Sequence, residues 1–336
     1  MLQIKNTLGG GGGNPEGSYV WKKYEYTIDP YLCFLGNEDF TLKTYNATKN
    51  WNGTLEYSTD STTWNTWDGT EISSSGNILY LRGTGNTKIC GNSVMYRFVF
   101  MGTDTLRISC EGNIENLLDY STVNAGNHPT MANYCYNAMF KGCTNLTTVP
   151  ELPATTLAEG CYCEMFSGCT NLTTLPSILP APILAANCYK DMFKGCTNLT
   201  TVPELPATTL AEGCYCEMFS GCTILTTAPV LPATILAGYC YLQMFYGCTN
   251  LTTVPELPAT TLAGYCYQYM FDNCTNIKLS STQIGEYQTA YRIPTSGTGT
   301  EGSNSLSNMF SSTGGTFTGT PEINTTYYLS TSNVIV

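Results

Sequence analysis

The chain has 336 residues, 25 acidic against 14 basic side chains, a net charge of −11 and a charged fraction of only 12%. An acidic chain this poor in Lys and Arg lacks the clustered cations that neutralise phosphates, which argues against a nucleic-acid partner. The single histidine, His128, excludes His-rich metal sites, and any histidine-based triad has to use it. With 42% hydrophobic residues and 24 tyrosines the chain still builds a sizeable core, and its length suits two or three domains.

Residues 1–17 carry five consecutive glycines and read as a flexible tether. No leader of the secretory type opens the sequence, and no run approaches the ~20 apolar residues of a spanning helix. The chain therefore reads as one that stays inside, leaves as part of a larger particle, or has lost a leader.

Residues 18–110 read as a small antiparallel β-sandwich. Runs such as 55–58 and 78–82 are rich in β-branched and aromatic residues, and Asn52-Gly53 and Asp68-Gly69 supply turn signals. Core packing is the simplest role for Trp51, Trp64 and Trp67, with a carbohydrate-stacking platform as the alternative.

A repeat governs residues 111–278, with 111–131 as its N-terminal cap. Its unit is Cys-Tyr-x-x-Met-Phe-x-Gly-Cys-Thr-Asn-Leu-Thr-Thr, followed by prolines. The leading cysteines are Cys135, Cys161, Cys188, Cys214, Cys240 and Cys266, spaced 26, 27, 26, 26 and 26 residues apart. A second set follows each by eight residues: Cys143, Cys169, Cys196, Cys222, Cys248 and Cys274. A period in this range with regular leucines predicts a leucine-rich-repeat-type solenoid, mainly β with short helical turns. Residues 139–170 and 192–223 are identical over 32 positions, which points to a recent duplication. Such arrays lengthen easily, which suits an extended surface better than a fixed catalytic geometry. Residues 279–336 read as a degenerate repeat, echoed by Met309-Phe310, and a C-terminal cap.

On these motifs the chain resembles the BspA-like leucine-rich repeat family of bacterial surface proteins, with Met-Phe where that family more often has Ala-Phe. Residues 30–110 are similar to the β domain that precedes such repeats in gut-bacterial and phage proteins. The tether and residues 19–24 resemble the start of phage tail-associated proteins. The resemblance implies adhesion to a cell-surface glycan or protein without catalysis, on a virion or a bacterial surface. It also allows contacts to other virion proteins through the N-terminal region.

The cysteines are expected as two ladders of small buried hydrophobes, because phased positions stack from unit to unit. A disulfide framework, or metal chelation at Cys161-Tyr162-Cys163 and Cys214-Tyr215-Cys216, stands as the alternative. With seventeen cysteines at least one thiol is free or intermolecular, and Cys163 and Cys216, outside the ladders, are expected to be the exposed ones. Asn145, Asn171, Asn198, Asn250 and Asn276 share one position and are expected as a buried ladder bonded to neighbouring turns. Ile224 interrupts it. Glu151, Glu204 and Glu256 read as a solvated row.

Positions that differ between copied units are not dictated by the core, so they are expected to line one outer face. Lys190, Asp191, Gln243, Tyr246, Tyr265, Gln268, Tyr269 and Asp272 are the candidate ligand contacts; tyrosine offers large contact area at low entropy cost. No catalytic residue, cofactor or metal site is nominated. A glycan hydrolase would need two carboxylates at a fixed separation, and the sequence singles out no pair.

Overall fold

The computed structural model describes residues 31–91 and 96–336. The tether and residues 19–24 lie outside these described residues. The described fold is mainly strands, in several antiparallel sheets and one short parallel pair, none closed, with one α-helix, α1 (Asn116–Asn124).

Among the described residues eight strands precede the helix: β1 (Leu32–Gly36), β2 (Thr41–Thr44), β3 (Thr54–Ser58), β4 (Asn65–Trp67), β5 (Ile72–Ser73), β6 (Ile78–Thr84), β7 (Phe98–Met101) and β8 (Ile108–Glu111). They form a five-stranded sheet, β4-β3-β6-β1-β8, and a three-stranded sheet, β5-β2-β7. Alternation sets the faces: along β6, Leu79 and Leu81 are buried while Ile78, Tyr80 and Arg82 lie on the other side, half-buried. The buried faces meet, with Phe34 of β1 packed edge-on against Phe100 of β7 at 5.0 Å. Trp67 meets Phe98 at 5.3 Å and stacks on Trp51 at 5.2 Å. Trp51 and Trp67 are therefore core residues, whereas Trp64 sits half-buried on the outer face. Helix α1 lies close against β6 at Gly83, where a Cβ would fall 1.8 Å from the Leu117 carbonyl oxygen.

From Cys135 onward the copies of the unit lie one upon the next. Phe140, Phe166, Phe193, Phe219, Phe245 and Phe271 form a column of near-parallel rings 5.4 to 5.9 Å apart. The last ring of that column is Phe310, in the degenerate seventh copy. A second column, Tyr136 to Tyr267, has the same step, 5.6 to 5.8 Å. Both columns are almost wholly buried, and the interior of each copy is cut off from water only by its neighbours.

Both ends of the stack are closed by other strands. At the first unit, Phe98 of β7 donates its N–H to Met139 at 2.7 Å, and Ile108 of β8 donates to Asn145 at 2.9 Å. Strand β8 also pairs with β1, so it belongs equally to the first sheet and to the stack. Beyond the sixth unit, β10 (Leu279–Ser280), β12 (Thr326–Ser330) and β11 (Tyr287–Arg292) make a three-stranded sheet. The tail then returns, and β13 (Val334–Ile335) pairs in parallel with β9 (Thr253–Val254) of the fifth unit. Asn333 anchors that return, its Nδ2 donating to the carbonyls of Thr252 at 3.0 Å and Asn276 at 2.9 Å.

The short helical turns expected in each unit are replaced by a different device. From Tyr134 to Cys143 the chain is a ribbon of turns with a left-handed residue at every fourth position: Tyr134, Ala138 and Gly142, with φ of 57°, 52° and 73°. The same rhythm recurs at Asn187, Asp191 and Gly195. A left-handed residue every four positions prevents helix propagation. It also frees alternate amides to bond to the next unit.

Candidate functional site

The ribbon follows from backbone accounting. In the first unit the N–H groups of Tyr136, Ala138, Phe140 and Gly142 reach the carbonyls of Cys161, Cys163, Met165 and Ser167 in the next, at 2.7 to 2.9 Å. The intervening Asn137, Met139, Lys141 and Cys143 donate three residues back within their own unit, at 3.0 to 3.2 Å. Every amide over this stretch is satisfied without helix or extended sheet.

The second set of cysteines completes the scheme. Cys143, Cys169, Cys196, Cys222, Cys248 and Cys274 each donate S–H to a phenylalanine carbonyl of the preceding layer, at 3.0 to 3.3 Å. In the five units from Phe140 to Phe245 that carbonyl also accepts the N–H of its own unit's cysteine, so both lone pairs are used. Burial pushes these thiols well up, Cys196 and Cys248 to about 12. Sixteen of the seventeen cysteines are buried thiols outside any disulfide, and Cys33 is half-buried.

Cys163 and Cys216, expected to be exposed, are buried instead. Desolvation raises Cys163 to about 11. Asn137, at the same unit position, is buried as well.

The asparagine ladder exists but not as a buried one. Asn198, Asn250 and Asn276 are exposed, and Asn145 and Asn171 are half-buried. The following leucine, or Ile277 after Asn276, enters the core instead, and the asparagine turns outward. The links are a mixture: Asn171 Nδ2 donates to the Thr144 carbonyl at 2.7 Å, and Asn198 Nδ2 to Asn171 Oδ1 at 3.4 Å. Ile224 occupies this outward row without disturbing the core.

Of the eight candidate contacts, Lys190, Gln243, Tyr246, Tyr265, Gln268, Tyr269 and Asp272 lie half-buried along the ribbon, on rows that run from unit to unit. Tyr265 stacks on Tyr239 at 4.8 Å with nearly parallel rings. Asp191 departs from the expectation: it is only 8% exposed, and its Oδ1 lies 3.2 Å from Lys194 Nζ. Burial and then the neighbouring Glu217 carboxylate raise the Asp191 carboxyl above its usual range. Lys194 also pairs with Glu217, and in the copied block Lys141 pairs with Glu164. These ion pairs between units were missed in the sequence, although each Lys precedes its Glu by 23 residues in both copies.

Other candidates fall elsewhere. Glu151, Glu204 and Glu256 are solvated. His128 Nδ1 lies 2.7 Å from Oε2 of the buried Glu115, whose carboxyl is raised by burial and partly drawn back by that hydrogen bond. Among the described residues no group of His, Cys, Asp or Glu side chains is arranged to hold a metal ion. Nor is any described helix long and apolar enough to cross a membrane.

The even-numbered units carry a further feature. Ile183, Val230 and Ile235 are 76%, 62% and 60% exposed, and Ile178 is exposed beside them. Glu151, Glu204 and Thr209 hold the matching places in odd-numbered units, as the bridges Ile178–Glu204 and Thr209–Ile235 show.

Comparison with family models, curated proteins and solved structures finds no match to the chain.

Proposed function

We propose that the chain is a non-enzymatic surface-recognition protein. In this reading it is a small β-sandwich followed by a capped solenoid of the BspA-like leucine-rich-repeat kind, carried on a phage tail or other virion. Its ribbon face binds a cell-surface glycan or protein, and its N-terminal region contacts other virion proteins. The supporting observation is the division of labour along the ribbon. The buried Cys, Tyr, Met and Phe columns recur with almost no change, while at the positions of Lys190, Gln243, Tyr246 and Gln268, half-buried in these units, the residue changes from unit to unit. A rigid scaffold with free choice of outward side chain suits recognition. A bacterial adhesin is the same reading on another carrier.

A second reading has its own support. The exposed aliphatic side chains of the even-numbered units suit contact with sister subunits in a purely architectural particle protein.

Binding of the labelled full chain to a panel of intact gut bacteria tests the proposal. Selective, saturable binding supports recognition. Failure to bind any cell, together with concentration-dependent self-association in sedimentation, supports the architectural role instead.

A further inference from the structure

We propose that a groove at the junction of the five-stranded sheet and the first repeat unit is a saccharide-binding site that accepts one hexose unit of a glycan. The groove has a volume of about 310 Å³. That is at the lower end of small-molecule sites, which span roughly 300–1,000 Å³. Leu35 of β1 and Ile78 of β6 give it an apolar floor, and Thr148, Val149 and Glu151 of the first unit line it as well.

Its aromatic lining is pre-set. The Tyr31 ring is held edge-on by Trp64 at 4.6 Å and by Tyr120 at 5.9 Å. Beneath these rings the Arg82 guanidinium lies 4.0 Å from the Trp64 centroid, and its Nε is bonded to Glu56 at 2.7 Å. An aromatic wall fixed before binding spares the ordering entropy that a mobile ring would lose.

The polar groups are also pre-set. Ser109 Oγ donates to Glu111 Oε1 at 3.0 Å and lies 2.8 Å from Thr148 Oγ1. Thr148 Oγ1 in turn accepts the Cys110 N–H at 3.0 Å. Glu151 is brought to the rim by pairing with the β8 end of the chain: its N–H donates to Gly112 at 2.8 Å and its carbonyl accepts from Ile114 at 3.1 Å. The lining thus joins an apolar floor and aromatic wall to carboxylates and hydroxyls, with no Lys or Arg.

That combination matches a pyranose, which has one C–H face and a rim of hydroxyl groups. The carboxylates accept from sugar hydroxyls, and the ring and aliphatic side chains cover the C–H face. Phosphate or sulfate is disfavoured, since the lining offers carboxylates and no cation. The site lies away from the ribbon, so it stands or falls separately from ribbon binding to cells.

Saturation-transfer NMR on the full chain tests it, with free glucose, galactose, mannose and N-acetylglucosamine as probes and tri-lysine as a cationic probe. At least one sugar should bind saturably, and Glu151→Gln and Tyr31→Ala should each weaken it by roughly tenfold or more. Glu204→Gln, at the matching position two units along, should leave it unchanged. Glu151 is solvent-exposed, so its substitution keeps the test valid even if Tyr31→Ala unfolds. Failure of all four sugars to bind, binding of tri-lysine instead, or equal loss in Glu204→Gln would overturn the proposal.

Discussion

The thiol of Cys196 donates to the carbonyl oxygen of Phe166, 3.2 Å away and one unit earlier in the stack. The same oxygen accepts the N–H of Cys169 at 3.1 Å. Cysteine at this position is therefore both a small apolar filler and a hydrogen-bond donor between layers. In the degenerate last copy Thr313 takes its place and donates instead to Phe310 of its own layer, at 2.9 Å.

This chemistry makes the thiols unreactive. At neutral pH few of the buried groups are ionised, since burial lifts Cys163 to about 11 and Cys188 to about 12. In native protein we expect no more than about one thiol, Cys33, to react promptly with a disulfide reagent. In denaturant all seventeen should titrate. Several fast native thiols, or a shortfall in denaturant, would contradict the buried free ladder.

The repeats stabilise one another through the aromatic columns. Phe193 is fully buried between Phe166 at 5.7 Å and Phe219 at 5.9 Å. Phe193→Ala should destabilise by about 3–5 kcal/mol in denaturant unfolding. Ile183→Ser, on the exposed face, should change stability by less than about 0.5 kcal/mol.

How far the sequence revealed this depends on the residue. The period and the two cysteine ladders were legible because equivalent positions stack. Phasing marks equivalence, however, and not burial. The asparagine row has the same period as the leucines and still faces outward. The turn ribbon was read as short helical turns because a repeat of this period with regular leucines implies one in each unit. The clue lay in Gly142, Gly168, Gly195, Gly221 and Gly247, one per unit, all with positive φ. The groove beside Tyr31 was illegible because its two sides are about 39 residues apart in the chain, as in the Ser109–Thr148 contact.

Those glycines provide a direct test of the ribbon. Gly221 has φ of 74°, and a Cβ there would meet the Gly195 Cα at an ordinary 3.7 Å. The penalty is therefore one of backbone conformation alone. Gly221→Ala should cost about 1–2 kcal/mol. An unchanged denaturation midpoint would show that this position is not left-handed.

Two carboxyls near helix α1 give stability opposite pH dependences. Asp119 is held down to about 2, first by the Ser121 hydroxyl and then by the Gly85 N–H. A lowered acid contributes stability above its unfolded value, near 3.8, that is lost as pH falls toward 2. Glu115 is raised by burial, so its contribution is full below the ordinary carboxylate range and is lost as pH rises through its folded value. In thermal melts, Asp119→Asn should flatten the acid-side fall in midpoint. Glu115→Gln should flatten the decline on the other side. Parallel curves for both variants and the parent would contradict these assignments.

Recognition of a cell surface by the ribbon face is the proposal to be tested first. The most direct measurement compares the full chain with a Tyr246→Ser, Gln268→Ser, Tyr269→Ser variant for binding to the same intact bacteria. These half-buried side chains lie outside the columns, so the melting curve should be nearly unchanged. We expect saturable binding by the parent and a loss of roughly tenfold or more in the variant. Equal binding by both, with the fold intact, would contradict the assignment of this face.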